Sequence, residues 1–231
     1  MMMLSFFAFA AAAVVQETPR GDRLKPVEQC FAITRNTKDG PQTIGATKQV
    51  VRAVTENGAP AWDVVVAQKI PGVFDMRDHF VLARRDLRPI RFDSQHDGVE
   101  HVALRYAGNH VTGTKRAKDG TSTTIAQSSA TPFWEGNLWG LTFGALPLAA
   151  GKHLTLPFYQ YDKGFGAFDL TVTGSETLKT PREAVPAWTV NVAAGSGPTA
   201  TYLIAKKTGQ ELGTRSAMFG TSLGGDCSAI R

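Results

Sequence analysis

The sequence predicts a mainly β fold: a single curved antiparallel sheet, a half-barrel, wrapped around one hydrophobic helix. Three observations carry that expectation. From residue 27 onward, apolar residues recur mostly at every second position, which buries one face of a sheet and wets the other. Turn-formers break these runs at short intervals. A single segment departs from the pattern: Phe133 to Gly151 is apolar all round when wound as a helix.

The alternation can be followed along the chain. Val102, Leu104 and Tyr106 alternate with His101, Ala103 and Arg105, and Leu154, Leu156 and Phe158 with His153, Thr155 and Pro157. Phe168, Leu170 and Val172 continue the pattern, as do Trp188, Val190 and Val192. Between such runs stand His96-Asp97-Gly98, Ala107-Gly108-Asn109, Lys118-Asp119-Gly120 and Lys207-Thr208-Gly209. Glycine supplies positive φ and Asp or Asn tolerates it, so these insertions reverse the chain into hairpins. The runs number about eleven to thirteen, spaced as in a meander or barrel. No linker divides them, which gives one expected domain over residues 17–216 and a glycine-rich tail over 217–231.

One phrase occurs twice. FVLARRDLRPIR, Phe80 to Arg91, is echoed by TYLIAKKTGQELGTR, Thr201 to Arg215. Both read as a strand, a basic turn and a return strand. Convergence and internal duplication both account for so short an echo.

In the apolar segment, Trp134, Leu138, Leu141 and Ala145 fall on one side of the expected helix, and Trp139, Phe143 and Leu146 on another. Pro132 precedes it and Pro147 stops it. Gly140 and Gly144 weaken it while allowing close approach to a neighbour. Such a helix either completes the core as a plug or covers a greasy ligand.

The first residues, MMMLSFFAFAAAAVVQETPR, hold an uncharged run from Leu4 to Val15. A membrane span needs roughly 20 apolar residues, so the run is too short to anchor the chain. It reads as a signal peptide over residues 1–16, although no Lys or Arg precedes it; a buried strand or helix is the other reading. The mature chain is then expected to begin between Ala11 and Glu17, in the periplasm. Cys30, in VEQC, lacks the small residues that a lipid-anchoring signal places before its cysteine. Cys30 and Cys227 are the two cysteines, and in an exported chain they suggest one disulfide; two buried thiols are the alternative.

The formal net charge is +5, but the basic pairs Arg84-Arg85, Lys115-Arg116 and Lys206-Lys207 are dispersed over turns. A nucleic-acid reader gathers its charge on one face, so no nucleic-acid partner is expected. Peripheral contact with an anionic membrane surface is compatible with the charge.

The sequence also displays chemistry that it does not support. Gly220-Thr221-Ser222-Leu223-Gly224 has the GxSxG form, but no histidine follows Ser222 and too few residues remain for a helix. His79, His96, His101, His110 and His153 include no zinc spacing, so no metal is expected. His101 and His110 sit on one hairpin, where their rings could meet. No P-loop or dinucleotide fingerprint is present, and no cofactor is expected.

The order of parts resembles a known family. FVLARRDLRPIRFD closes a meander, LPLAAG (Leu146 to Gly151) follows the apolar segment, and VTGSETLKTP, PAWTVNV and TYLIAKKTGQELGTR come after. Over residues 27–216 this is similar to a bacterial exported domain-of-unknown-function family related in fold to the LolA/LolB lipoprotein carriers. The resemblance implies a half-barrel around a helix, with a hydrophobic interior of the kind that holds acyl chains in the carriers. It brings no catalytic residue. The expected function is a non-enzymatic periplasmic domain binding a lipid or other apolar ligand, lined by Trp134, Trp139, Phe143, Phe158, Phe168 and Trp188. The alternative is an envelope interaction domain that pairs with a protein partner and holds no small molecule.

Overall fold

The computed structural model describes residues 17–195 and 197–230. The expected signal peptide lies outside the described residues. A single turn of 3-10 helix, Gly21–Arg23, leads into the first meander: β1 (Val27–Thr37), β2 (Gly40–Glu56), β3 (Ala59–Ile70), β4 (Phe74–Ala83), β5 (Pro89–His96), β6 (Val99–Ala107), β7 (His110–Arg116) and β8 (Ser122–Ser128). A crossover carries the two-residue β9 (Trp134–Glu135) and α1 (Gly140–Gly144). The second meander is β10 (His153–Gln160), β11 (Gly164–Lys179), β12 (Ala184–Ala194), β13 (Ala200–Ala205), β14 (Glu211–Arg215) and β15 (Phe219–Leu223).

These strands form one open curved sheet in the order β8-β7-β6-β5-β4-β3-β2-β1-β15-β14-β13-β12-β11-β10-β9. Two meanders are therefore joined edge to edge where β15 pairs with β1, and every pair is antiparallel except β9 with β10. The predicted alternation is seen in the burial of β1, β6, β10 and β11. Val102, Leu104 and Tyr106 point into the main core, as do Leu154, Leu156 and Phe158, and Phe168, Leu170 and Val172. A smaller cluster of Ala187, Leu203, Ala205 and Leu212 lies on the opposite face. Past the irregularity between Val172 and Gly174, the end of the β11–β12 hairpin folds across the outside of β13–β15. There Glu176 pairs with Arg215 at 2.7 Å and Pro181 packs on Gly224.

Three expectations need correction. The apolar segment is not one helix from Trp134 to Leu146: its first two residues pair with β10, and helix is confined to Gly140–Gly144. Close packing requires this. A Cβ on Gly136 would lie 2.4 Å from Gln160, one on Gly140 1.8 Å from Glu211, and one on Gly144 1.8 Å from the backbone oxygen of Gly209. The stretch expected as a tail instead supplies β15, held by β1 on one side and β14 on the other. His101 and His110 do not meet, because Ala107 pairs with His110 and Val102 with Lys115, setting the histidines at opposite ends of the hairpin. His110 bonds Ser128 and His101 packs on Tyr161.

The doubled phrase marks a larger structural repeat. Ala83 N–H donates to Arg88 and Ala205 N–H to Gln210, both at 2.8 Å; Leu87 and Gly209 donate back to Ala83 and Ala205. Leu87 and Gly209 share positive φ, 56° and 70°. Arg84 N–H donates to Pro60 and Lys206 N–H to Pro186, and each cation lies over the tryptophan two residues beyond that proline, Trp62 or Trp188. The strand triplets β3–β5 and β12–β14 are thus built alike, down to a register shift just before each basic turn.

Candidate functional site

The residues that could meet a ligand lie where β1, β2, β14 and α1 converge. Gln29 shares an inward face with Phe31 and Ile33 on β1, and Gln49 faces it across the pair with β2. Glu211 opens β14 opposite Ile204, a core residue, so it also points inward. Two cavities meet there. The outer, about 380 Å³, is walled by Leu24, Val27, Val51 and Leu141, with Arg23, Lys25 and Lys207 also lining it. The inner, about 150 Å³, runs between Leu138 and Trp139 on one side and Phe31, Thr47 and Thr221 on the other. Gln49 and Glu211 line both.

Glu211 is half-buried, and its carboxyl stays in contact with these cavities. Burial pushes that carboxyl up to about 7, and among the described residues it has no hydrogen-bond or ion-pair partner. The nearby Tyr202 hydroxyl is pushed up by burial and by Glu211. Gln29 Nε2 donates to the Glu211 backbone oxygen at 3.2 Å, which fixes the strand and leaves the acid free.

A second polar group lies deeper and is fully bonded. Glu135 accepts from the Tyr106 hydroxyl, from Asn137 N at 3.0 Å and from Asn137 Nδ2 at 2.6 Å. Asp78 accepts from Ser94 Oγ at 2.5 Å. Burial raises Glu135 to about 7 and Asp78 to about 6, against the pull of these hydrogen bonds. All three interior acids have folded-state values above their ordinary ones of 4.5 and 3.8. Their protonated forms therefore favour the fold. That stabilisation is complete below the unfolded values and is lost as pH rises through about 6 to 7. We expect urea midpoints to fall between pH 5 and pH 8, and Glu135→Gln to flatten part of that slope, with a gain at pH 8 on the order of a few kcal/mol. A variant as pH-sensitive as the parent would refute this.

The six aromatics expected to line a ligand site are not gathered at these cavities. Phe143, Phe158 and Phe168 form one packed group in the core, with Phe158 and Phe168 rings 4.1 Å apart and Phe143 edge-on to Phe168 at 5.3 Å. Trp134 is buried, donates to the Asp86 oxygen at 2.8 Å, and touches a separate surface hollow beside Arg88. Trp188 stacks under Lys206. Trp139 alone of the six lines the inner cavity, and it is 44% exposed. The polar lining was overlooked, although a signal existed: Gln29 and Gln49 stand in phase with apolar neighbours on the buried face.

Cys30 and Cys227 are joined, their Cα atoms 5.9 Å apart. The bond ties residues 224–230 to the outer face of β1, where Gly224 N donates to the Cys30 oxygen at 2.8 Å. A bond of this kind is in keeping with an oxidising, exported compartment. Ser222 stands within β15, paired with Ala32 and Gly213, and not at a strand-to-helix turn.

Comparison with known proteins bears on the fold and the family. No curated protein matches the sequence. Among solved structures, the chain is similar to a β-barrel-like protein of domain of unknown function DUF1849 from Brucella abortus, with a TM-score of 0.51 and 8% identity over 91% of this chain and 96% of that one. At that identity the likeness is one of fold. Residues 30–221, nearly the whole sheet from β1 into β15, match the family described as Protein of unknown function (DUF3108), and the chain belongs to that family.

Proposed function

We propose that this protein is a non-enzymatic binding module of the periplasm that holds a small lipid-like or otherwise apolar-bodied ligand at the β1–β2–β14 end of its half-barrel. The observation that carries the reading is the pair of adjoining cavities, apolar in the walls and joined at Gln49 and Glu211. The outer one is within the size range of small-molecule sites, roughly 300 to 1,000 Å³. The disulfide supports an exported address. The lipoprotein-carrier likeness inferred from the sequence belongs to this reading, with a shorter ligand than a full acyl chain lying along the barrel, because Phe143, Phe158 and Phe168 fill the centre.

Titration of Trp139 fluorescence with fatty acids of increasing length tests it. Affinity is expected to rise by about 0.8 kcal/mol per methylene until the cavities are full. A flat titration at every length, on protein shown to be folded and ligand-free, would remove the reading. Ser222→Ala is expected to leave the binding curve unchanged.

One observation favours a second reading, a protein partner in the envelope. Residues Thr123 to Gln127 of the edge strand β8 line a groove opposite Tyr159 and Gly164, open to an added strand. Protection of β8 amides from hydrogen exchange in envelope extract, with no fatty-acid binding, would put that reading first.

A further inference from the structure

Glu211 and its surroundings say more about the ligand, on the premise that the paired cavities are a binding site. A carboxyl largely withdrawn from water into a cavity wall without a partner is costly, and such groups are ordinarily paired. Here space is kept for it: Gly140 has no side chain, and a Cβ there would lie 1.8 Å from Glu211 Oε2. The Gln49 side chain beside it is likewise without a protein hydrogen bond among the described residues. Towards solvent the sign of the charge reverses. Arg23, Lys25 and Lys207 line the outer cavity, and none of them forms an ion pair among the described residues. Between floor and rim lie Leu24, Val27, Val51 and Leu141.

We propose that the ligand is zwitterionic, with an ammonium group seated on Glu211, an apolar middle along Leu24, Val51 and Leu141, and an anionic group among Arg23, Lys25 and Lys207. A plain fatty acid would satisfy only the rim, and its chain would leave Glu211 unpaired. An alkylamine would satisfy only the floor, at the cost of entering past three cations. A molecule carrying both charges meets both, and a charge-assisted hydrogen bond in an enclosed site is the strong kind. Gln49 supplies an amide oxygen to a further ammonium hydrogen.

The test compares ω-aminooctanoic acid with octanoic acid and octylamine by calorimetry on the folded, disulfide-bonded protein. The ω-amino acid is expected to bind roughly tenfold or more tighter than either singly charged probe. Glu211→Gln, which keeps the side-chain shape, is expected to bring it down to the level of octanoic acid. Replacing Arg23, Lys25 and Lys207 together by glutamine is a second variant on exposed positions that leaves the floor untouched. It is expected to bring the ω-amino acid down to the level of octylamine. Octanoic acid binding as tightly as the ω-amino acid would overturn the zwitterion assignment while leaving the apolar-site reading intact. An undiminished preference in both variants would overturn it too. Failure of all three probes, together with a flat fatty-acid titration, would overturn both readings at once.

Discussion

Removing the Cys30–Cys227 disulfide is expected to lower the free energy of unfolding by about 5 kcal/mol, the value of a chain-entropy model for closing so long a loop. The bond spans 197 positions, nearly the whole described chain, so cutting it frees the unfolded state at almost maximal scale. Against a total stability of about 5 to 15 kcal/mol, that leaves a marginal domain. The loss should begin at one place. β15 is five residues long and, among the described residues, is the strand whose backbone pairing joins β1 to β14 and so closes the sheet between the two meanders. The disulfide holds the chain just beyond it, and Gly225 crosses β1 so closely that a Cβ would lie 2.3 Å from the Ala32 nitrogen. In the Cys30→Ala/Cys227→Ala protein, amide exchange should therefore quicken first over residues 219–225. Urea unfolding of that variant beside the oxidised parent gives the magnitude. A difference under about 1 kcal/mol would show that loop closure is not what the bond contributes.

The sheet was legible because alternation is a local signal, and each hairpin carried its own turn residues. The exceptions share one cause: their structure depends on neighbours remote in sequence. β15 offers only Phe219 and Leu223 as large apolar residues, so nothing in GTSLG marks a strand until β1 and β14 flank it. The segment from Trp134 to Leu146 is apolar on nearly all sides because all of it except Asn137 and Trp139 is buried. Burial of that kind erases the periodicity that separates helix from irregular chain. Gly136, Gly140 and Gly144 recur at helical spacing, yet each is small on account of a different distant contact: Gln160, Glu211 and Gly209. The echo between Phe80–Arg91 and Thr201–Arg215 was legible as two hairpins. Its extension to Pro60-Ala61-Trp62 and Pro186-Ala187-Trp188 required the strand partners that bring each tryptophan under its basic turn. The cavities were hidden for the same reason. No local pattern places Gln49 beside Glu211.

Phe143→Glu and Trp139→Glu should separate core from cavity within one short segment. Phe143 is 1% exposed, and its ring meets Phe168 at 5.3 Å and Tyr202 at 4.9 Å, both edge-on. A carboxylate there loses the aromatic packing, about 3 to 5 kcal/mol for truncation alone, and adds the penalty of a buried unpaired charge. The sum is comparable to the whole stability of a domain, so the variant is expected to be unfolded at neutral pH. The Trp139 ring, by contrast, is 44% exposed, with its Nε1 bonded to the Gly136 oxygen of the same turn. Glutamate at that position keeps access to water, and the fold should survive with a loss of about 1 to 2 kcal/mol. Its effect falls on the inner cavity, where a second carboxylate would stand near Glu211 and an apolar wall would be lost. Fatty-acid binding should then weaken at least about tenfold, since the contact area of a large aromatic is removed from the site. Circular dichroism and the fatty-acid titration on both variants decide the matter. A folded Phe143→Glu protein that has lost binding would move the ligand site into the centre of the half-barrel, where the three phenylalanines now pack.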